Sequence, residues 1–138
     1  SEGRLGVVVG DATGKGVPAA LVMSTTLGML RLAAQIYSSP GEMLQRVNEA
    51  LFPNIPTNMF VTCFYGVLDP KSGSLSYANA GHDLPYLWHG GEAEELRARG
   101  MPLGLMPGMS YEEKQIILEE RRDASRNGPR RVHGGAPG

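Results

Sequence analysis

The sequence predicts an α+β domain: one strand, two consecutive helices, and then an antiparallel meander of strands. Three observations lead to this fold class. A β-branched run at residues 5–9 ends in a glycine-rich turn, apolar residues then recur three and four positions apart, and from residue 58 onward the period changes to two. A chain of 138 residues is long enough for one domain with a single core.

The first strand leads directly into a glycine-rich turn at residues 10–16, and a helix follows with Pro18 in its first turn. This order places Asp11 at the end of a buried strand, beside the free N–H groups of a helix N-terminus. Metals and phosphates are commonly bound in such places. The turn is not a P-loop, because Val9 replaces the required glycine and Gly16 replaces the required Ser or Thr. A nucleotide-binding domain is therefore disfavoured. A plain strand-to-helix connection without a ligand remains the alternative to a metal or phosphate site.

The first helix carries an apolar stripe that predicts core packing along one face. Its members are Ala20, Met23, Leu27, Leu30, Ala34 and Tyr37. The second helix begins with a capping box, in which Ser39 is the N-cap, Pro40 is N1 and Glu42 is N3. Its inward residues are predicted to be Leu44, Val47 and Leu51, and it ends before Pro53.

Strands fill the second half of the chain. Residues 59–68 are apolar at nearly every position, as in a strand covered on both faces, and a Pro/Gly turn at 69–73 returns the chain through 74–80 as a hairpin. A second hairpin is predicted from 84–88 and 93–97 around two glycines, then a loop at 100–104 and a last strand at 114–118.

The composition limits the classes of function. The one cysteine, Cys63, excludes an intrachain disulfide and lies in an apolar setting typical of a buried structural thiol. No apolar run approaches membrane-spanning length and no signal segment opens the chain, so we expect a cytoplasmic protein without a membrane segment.

The C-terminal tail, residues 121–138, is basic and rich in glycine and proline. It carries five arginines against Asp123, a net charge of +4, which leaves −5 on the rest of the chain. Because Val132 is its only large aliphatic residue, we predict disorder there. Arginines without aromatic residues or a fold are a poor nucleic-acid site, and we expect no nucleic-acid partner.

Three motifs, in order, resemble a known family: GDATGKGVPAALVM at 10–23, MFVTCFYGVLDPKSGSLSYANAGHDLPYLW at 59–88 and GMPLGL at 100–105. They are similar to the stage II sporulation E-like branch of the metal-dependent (PPM-type) serine/threonine protein phosphatases. The resemblance implies a partial α/β-β/α sandwich of antiparallel sheets flanked by the helix pair, spanning residues 1–120. It also implies a two-metal site for Mn²⁺ or Mg²⁺ in which Asp11 is the catalytic bridging ligand and Ala12 supplies a carbonyl oxygen. Lys15 is assigned no catalytic role.

The resemblance is incomplete in the metal site. The family's upstream Gly-Gly-Asp segment is absent from these 138 residues, as is the downstream Asp-Gly metal motif, and Asp123 lacks the strand and glycine that a ligand there would need. The sequence therefore predicts a phosphatase domain that is truncated and deficient. The substrate implied by the resemblance is a phosphorylated anti-sigma-factor antagonist or a similar phosphoprotein, and the helix pair is a candidate regulatory or homodimer surface. The alternative is a non-catalytic module that binds such a regulator.

The other polar residues give weaker indications of a catalytic or metal-binding role. His82, in a hairpin context, is interpreted as a structural hydrogen-bonding histidine rather than a metal ligand. Ser24 and Cys63 have no visible base partner, so nucleophilic catalysis is not supported.

Overall fold

Two antiparallel sheets and two helices form the domain in the computed structural model, which confirms the predicted α+β class. The structure describes residues 3–14, 16–56, 58–89, 91–118 and 132–134. Lys15 and Asp123 lie outside the described residues.

The first sheet holds four strands in the order β1-β2-β3-β6. They are β1 (Leu5–Ala12), β2 (Val61–Asp69), β3 (Ser74–Ala80) and β6 (Glu113–Ile117). The strands β2 and β3 form the predicted hairpin, in which Gly73 takes a φ of 73° and its N–H donates to the Asp69 carbonyl at 2.8 Å. The first strand runs three residues further than predicted, because Gly10, Asp11 and Ala12 continue the pairing with β2.

The second sheet has the order β5-β4-β7. Its strands are β4 (Pro85–His89), β5 (Glu92–Glu95) and β7 (Val132–Gly134). The predicted second hairpin is confirmed by the pairing of β4 with β5. The strand β7 corrects the prediction of disorder at its three residues: β5 occupies one edge of β4, and the backbone of β7 pairs with the other. The rest of the tail lies outside the described residues, and the boundary at residue 120 stays a prediction.

The two helices are α1 (Val17–Ile36) and α2 (Pro40–Leu51), and a short 3₁₀ helix follows at Phe52–Asn54. The predicted cap of α2 is confirmed, since the Ser39 hydroxyl accepts from the Glu42 N–H at 3.2 Å. The predicted inward residues of α2 are buried as well. The stripe on α1 is partly wrong. Its buried residues are Val22, Thr26, Leu30 and Ala33, whereas Ala20 is exposed.

The two faces of the first sheet carry two separate cores. One face packs against the helices through a large cluster that includes Leu44, Cys63 and Ala78. The other face packs against the second sheet, through a smaller cluster that includes Phe64 and Leu87. Side chains alternate across a strand, so β2 supplies Cys63 to one core and Phe64 to the other.

One helical segment, Pro18–Ile36, is long and apolar enough by length and composition to cross a membrane. This corrects the expectation that no apolar run reaches that length. By itself this segment is weak evidence for a membrane span, because a helix that packs one face into a protein core can have the same length and composition.

Candidate functional site

The candidate site begins where β1 ends. Asp11 pairs with Thr62 of β2, and Ala12 pairs with Val61. The Asp11 residue is exposed, whereas Ala12 is half-buried against the helix-side core. The end of the strand therefore exposes the Asp11 carboxylate to solvent, while Ala12 packs against the helix-side core.

The turn after β1 is fixed by hydrogen bonds to the residue that precedes β2. The Thr13 N–H donates to the Phe60 carbonyl at 3.0 Å, and the Phe60 N–H donates to the Thr13 hydroxyl oxygen at 3.1 Å. Gly14 and Gly16 then take φ values of 89° and 79°, a region that side chains other than glycine rarely adopt. The glycine spacing in the sequence is thus a backbone requirement of a turn that leads directly into α1.

The helix α1 begins immediately after this turn. Gly16 is its N-cap, its carbonyl accepts from the Ala20 N–H at 3.2 Å, and Pro18 lies in the first turn as predicted. The first turn of a helix leaves N–H groups without intrahelical partners and carries a partial positive charge. Asp11 and this helix start are joined by only four residues.

His82 contacts the same end of the sheet, which the sequence did not indicate. Its Nδ1 lies 3.0 Å from the Thr62 hydroxyl oxygen, and that hydroxyl lies 3.3 Å from the Asp11 carbonyl oxygen. If the hydroxyl donates to the carbonyl, it accepts from an Nδ1–H of the imidazole. Asn79 holds the histidine in place: its side-chain amide donates to the His82 carbonyl at 3.0 Å and accepts from the His82 N–H at 2.7 Å. The histidine therefore makes structural hydrogen bonds, and one of them leads to Asp11 through Thr62.

The described residues do not by themselves fit a two-metal centre. No group of three or more His, Cys, Asp or Glu side chains lies close enough together to hold a metal in the part of the chain that the structure describes. The Asp11 carboxylate and the Ala12 carbonyl remain as the two oxygen donors implied by the resemblance. Two divalent cations need more carboxylate oxygens than this pair supplies.

Cys63 is a buried thiol with no nucleophilic character. It lies fully buried in β2, and burial raises its pKa to about 12. Because the thiolate is the reactive form, a thiol with this pKa is inert near neutral pH. Ser24 lies exposed on α1. The predicted lack of nucleophilic chemistry at Cys63 agrees with this burial.

Comparison with known proteins identifies relatives over most of the chain. The family model described as Stage II sporulation protein E (SpoIIE) matches residues 1–122. A curated relative, the phosphoserine phosphatase RsbU of Bacillus subtilis strain 168, is 27% identical over 118 residues. That alignment covers 84% of this chain and 35% of RsbU, so the chain spans about a third of this relative's length.

Several solved structures are similar to this fold, among them the following two. The RsbU and RsbW domains of Rv1364c from Mycobacterium tuberculosis match with a TM-score of 0.74 and 31% identity, covering 86% of this chain and 34% of theirs. The structure of RsbX in complex with magnesium matches with a TM-score of 0.70 and 16% identity, covering 87% of this chain and 57% of RsbX. At that identity the second match supports the fold alone.

Proposed function

The chain belongs to the stage II sporulation protein E family, and on this basis we propose that it forms part of a metal-dependent serine/threonine phosphoprotein phosphatase domain in bacterial signalling. The observation that carries the proposal is the exposed Asp11 at the end of β1, followed by a turn that two glycines and Thr13 fix in place. The similarity to RsbU, a phosphoserine phosphatase, supports this class of reaction.

Within this proposal, Asp11 and Ala12 are the metal ligands that the chain contributes. Mn²⁺ and Mg²⁺ are hard cations that prefer carboxylate, carbonyl and water oxygens. The Thr62 hydroxyl, 3.3 Å from the Asp11 carbonyl oxygen, and the pairing of Thr13 with Phe60 hold the backbone on both sides of Ala12. These contacts hold the backbone that carries the two donors before any cation binds.

The chain alone is proposed to be deficient in phosphomonoester hydrolysis. One carboxylate is too little negative charge to hold two divalent ions, and the described residues offer no acidic cluster beside it. The proposed substrate in the cytoplasm is a phosphorylated anti-sigma-factor antagonist or a similar phosphoprotein. Membership of the family and the similarity to a structure of RsbU and RsbW domains support this proposal.

The lack of an acidic cluster beside Asp11 among the described residues supports a second candidate function. A domain that lacks a clustered metal site over its described residues can hold a phosphorylated regulator without hydrolysing it. Binding without dephosphorylation would distinguish this module from a phosphatase.

Titration with Mn²⁺ tests the proposed ligands directly. We expect the 138-residue chain to bind one Mn²⁺ weakly, with a dissociation constant on the order of millimolar, because few oxygen ligands are fixed in place. Asp11→Asn should abolish this binding, measured by the loss of free Mn²⁺ signal in electron paramagnetic resonance. The matched control is Glu49→Gln on α2, an exposed carboxylate away from β1, which should leave the titration unchanged. Equal binding by the Asp11→Asn variant would contradict the assignment.

Hydrolysis of a simple aryl phosphate with and without Mn²⁺ then tests the deficiency. A chain that melts cooperatively should show no Mn²⁺-dependent hydrolysis above that of its Asp11→Asn variant. Hydrolysis that requires both Mn²⁺ and Asp11 would overturn the deficiency and would support a catalytic site completed by residues outside the described ranges.

A further inference from the structure

The three motifs of the sequence meet at the start of β2. Thr62 lies directly opposite Asp11 of β1, so these two side chains project from the same face of the first sheet. The turn that follows β3 brings the His82 ring to that face, where its Nδ1 lies 3.0 Å from the Thr62 hydroxyl oxygen. A histidine that the proposed chemistry does not use is thus connected to the candidate site.

The backbone around His82 is fixed from two sides. The side chain of Asn79, which is only 2% exposed, donates to the His82 carbonyl at 3.0 Å and accepts from the His82 N–H at 2.7 Å. Gly81 takes a φ of 69°, and a Cβ there would lie 2.8 Å from the ring of Pro102. A side chain whose backbone is held in this way can orient its neighbour precisely.

The loop that carries Pro102 is itself bonded to β2. The Leu103 N–H donates to the Val61 carbonyl at 2.7 Å, and the Val61 N–H donates to the Leu103 carbonyl at 2.9 Å. Val61 is the neighbour of Thr62 in the chain. The third motif therefore ties the turn before His82 to the strand that carries the threonine, and it fixes the separation of the imidazole from the hydroxyl.

Both contacts of the Thr62 hydroxyl form together in only one arrangement of hydrogens. A backbone carbonyl can only accept, so the single hydroxyl hydrogen must point to the Asp11 carbonyl oxygen, 3.3 Å away. The hydroxyl oxygen then accepts from His82, which requires a hydrogen on Nδ1. A ring with its hydrogen on Nε2 alone would take the hydroxyl hydrogen and leave the Asp11 carbonyl without this bond.

We propose that His82 is a positioning residue for Asp11 and acts through Thr62. Its Nδ1–H orients the hydroxyl, and the hydroxyl holds the peptide group that joins Asp11 to Ala12. That peptide group sets the directions of the Asp11 carboxylate and the Ala12 carbonyl, the two oxygen donors of the proposed site. The inference rests on the proposed function for the importance of these donors. Partners that orient a ligand in this way commonly affect cation affinity strongly.

Nuclear magnetic resonance of the 138-residue chain, without any cation, tests the hydrogen bonds. Long-range ¹H–¹⁵N correlations should place a hydrogen on Nδ1 of His82. In Thr62→Val and in His82→Phe the Asp11 carbonyl ¹³C resonance should move upfield, because the carbonyl loses a hydrogen bond. The Thr13 amide, which donates to the Phe60 carbonyl just beyond this peptide group, should exchange about threefold to tenfold faster, the effect of one lost hydrogen bond.

Conservative variants separate positioning from a general loss of stability. Thr62→Ser keeps the hydroxyl, and His82→Asn keeps an N–H donor near the place of Nδ1, so both should retain the wild-type Asp11 carbonyl resonance. Ser39→Ala is the control for stability, because it removes the cap of α2 without touching this network. It should leave the Asp11 carbonyl resonance unchanged.

Three results of these measurements would overturn the proposal. They are a His82 ring with its hydrogen on Nε2 alone, an Asp11 carbonyl resonance that His82→Phe leaves unchanged, and an equal shift of that resonance in Ser39→Ala. All three are read without a cation, so they are independent of whether Asp11 binds one.

Titration with Mn²⁺ then connects the hydrogen bonds to the site. His82→Phe should bind Mn²⁺ at least about tenfold more weakly than His82→Asn, the usual effect of losing a partner that orients a ligand. Equal Mn²⁺ affinity in these two variants would overturn the positioning role. A wild-type chain that binds no Mn²⁺ would instead contradict the proposed function, while the carbonyl resonance would still decide whether His82 holds Asp11 in place.

Discussion

Cys63 shows how one buried group makes stability depend on pH. Burial raises its pKa from 9.0 to about 12 in the folded chain, so the folded state keeps a proton that the unfolded state releases between these values. The contribution is fully present below pH 9 and is lost as the pH rises toward 12. We expect the free energy of unfolding to fall in this window by about 1.4 kcal/mol per pH unit from this thiol.

Urea unfolding between pH 8.5 and 11, in the wild type and in Cys63→Ala, measures this slope. Tyr65 and Tyr77 also have pKa values raised by burial. They steepen the pH dependence in both proteins. The difference between the two slopes therefore reports the thiol together with its charge interaction with Tyr65, whose pKa the Cys63 thiolate also raises. Parallel slopes would show that Cys63 does not titrate as its burial implies.

At the scale of residues, the sequence predicted that Asp11 lies at a strand end, but not which residues surround it. A strand followed by a glycine-rich turn is a local pattern, and it placed the carboxylate at a strand end. The link from Asp11 through Thr62 to His82 joins residues 51 and 20 positions apart, and it depends on the register of β2. No local periodicity encodes that register, so the sequence predicted a hydrogen-bonding histidine without its partner.

At the scale of elements, the start of α2 is tied to β6 by one carboxylate. Glu113 Oε1 accepts from the Gly41 N–H at 2.8 Å and from the Ser39 hydroxyl. Gly41 is required there, because a Cβ would lie 2.8 Å from the Tyr111 carbonyl oxygen. The helix cap and the last strand of the first sheet are therefore one hydrogen-bonded unit.

Removing either side of this unit should destabilise the fold. We expect Ser39→Ala to cost about 1 kcal/mol through loss of the N-cap, and Glu113→Ala to cost about 1–3 kcal/mol because a charged acceptor is lost. Thermal and urea unfolding of both variants and of the double variant give the coupling energy.

A coupling above about 0.5 kcal/mol is expected, because the two side chains contact each other. Glu113→Gln is the matched control: it keeps an acceptor oxygen but removes the charge, and should cost less than Glu113→Ala. Additive losses would show that the cap and the strand are stabilised independently.

The sequence predicted most elements, and its errors share a physical cause. The cap at Ser39 and the turn at 69–73 depend on neighbouring residues, and the structure confirms both. The buried face of α1 depends on which sheet residues it meets, and its apolar residues are spread too widely around the helix to select one face. The strand β7 depends on an edge offered by β4, more than 40 residues earlier.

At the scale of the whole molecule, the first sheet joins two cores that have no residue in common. Leu44 of α2 is fully buried on the helix side, and Leu87 of β4 is buried on the side of the second sheet. Both cores depend on the same strands, β2 and β3, which contribute alternate side chains to each. A cavity in one core should therefore also destabilise the other core.

This arrangement predicts that the domain unfolds as one unit. Leu44→Ala should cost about 2–5 kcal/mol, since it leaves a cavity beneath α2, and Leu87→Ala should cost a similar amount on the other face. Two probes report separately on the two sides: far-UV circular dichroism follows the helices, and the fluorescence of Trp88, the one tryptophan, follows β4.

In each variant both probes should shift to the same lower urea midpoint, because coincident transitions are the mark of two-state unfolding. Leu75→Ala serves as a reference, since this residue of β3 is buried in the smaller core but belongs to the shared first sheet. A Trp88 transition that keeps its wild-type midpoint in Leu44→Ala would contradict the prediction. It would mean that the second sheet survives the loss of the helix-side core, and that the strands shared by both cores do not couple them.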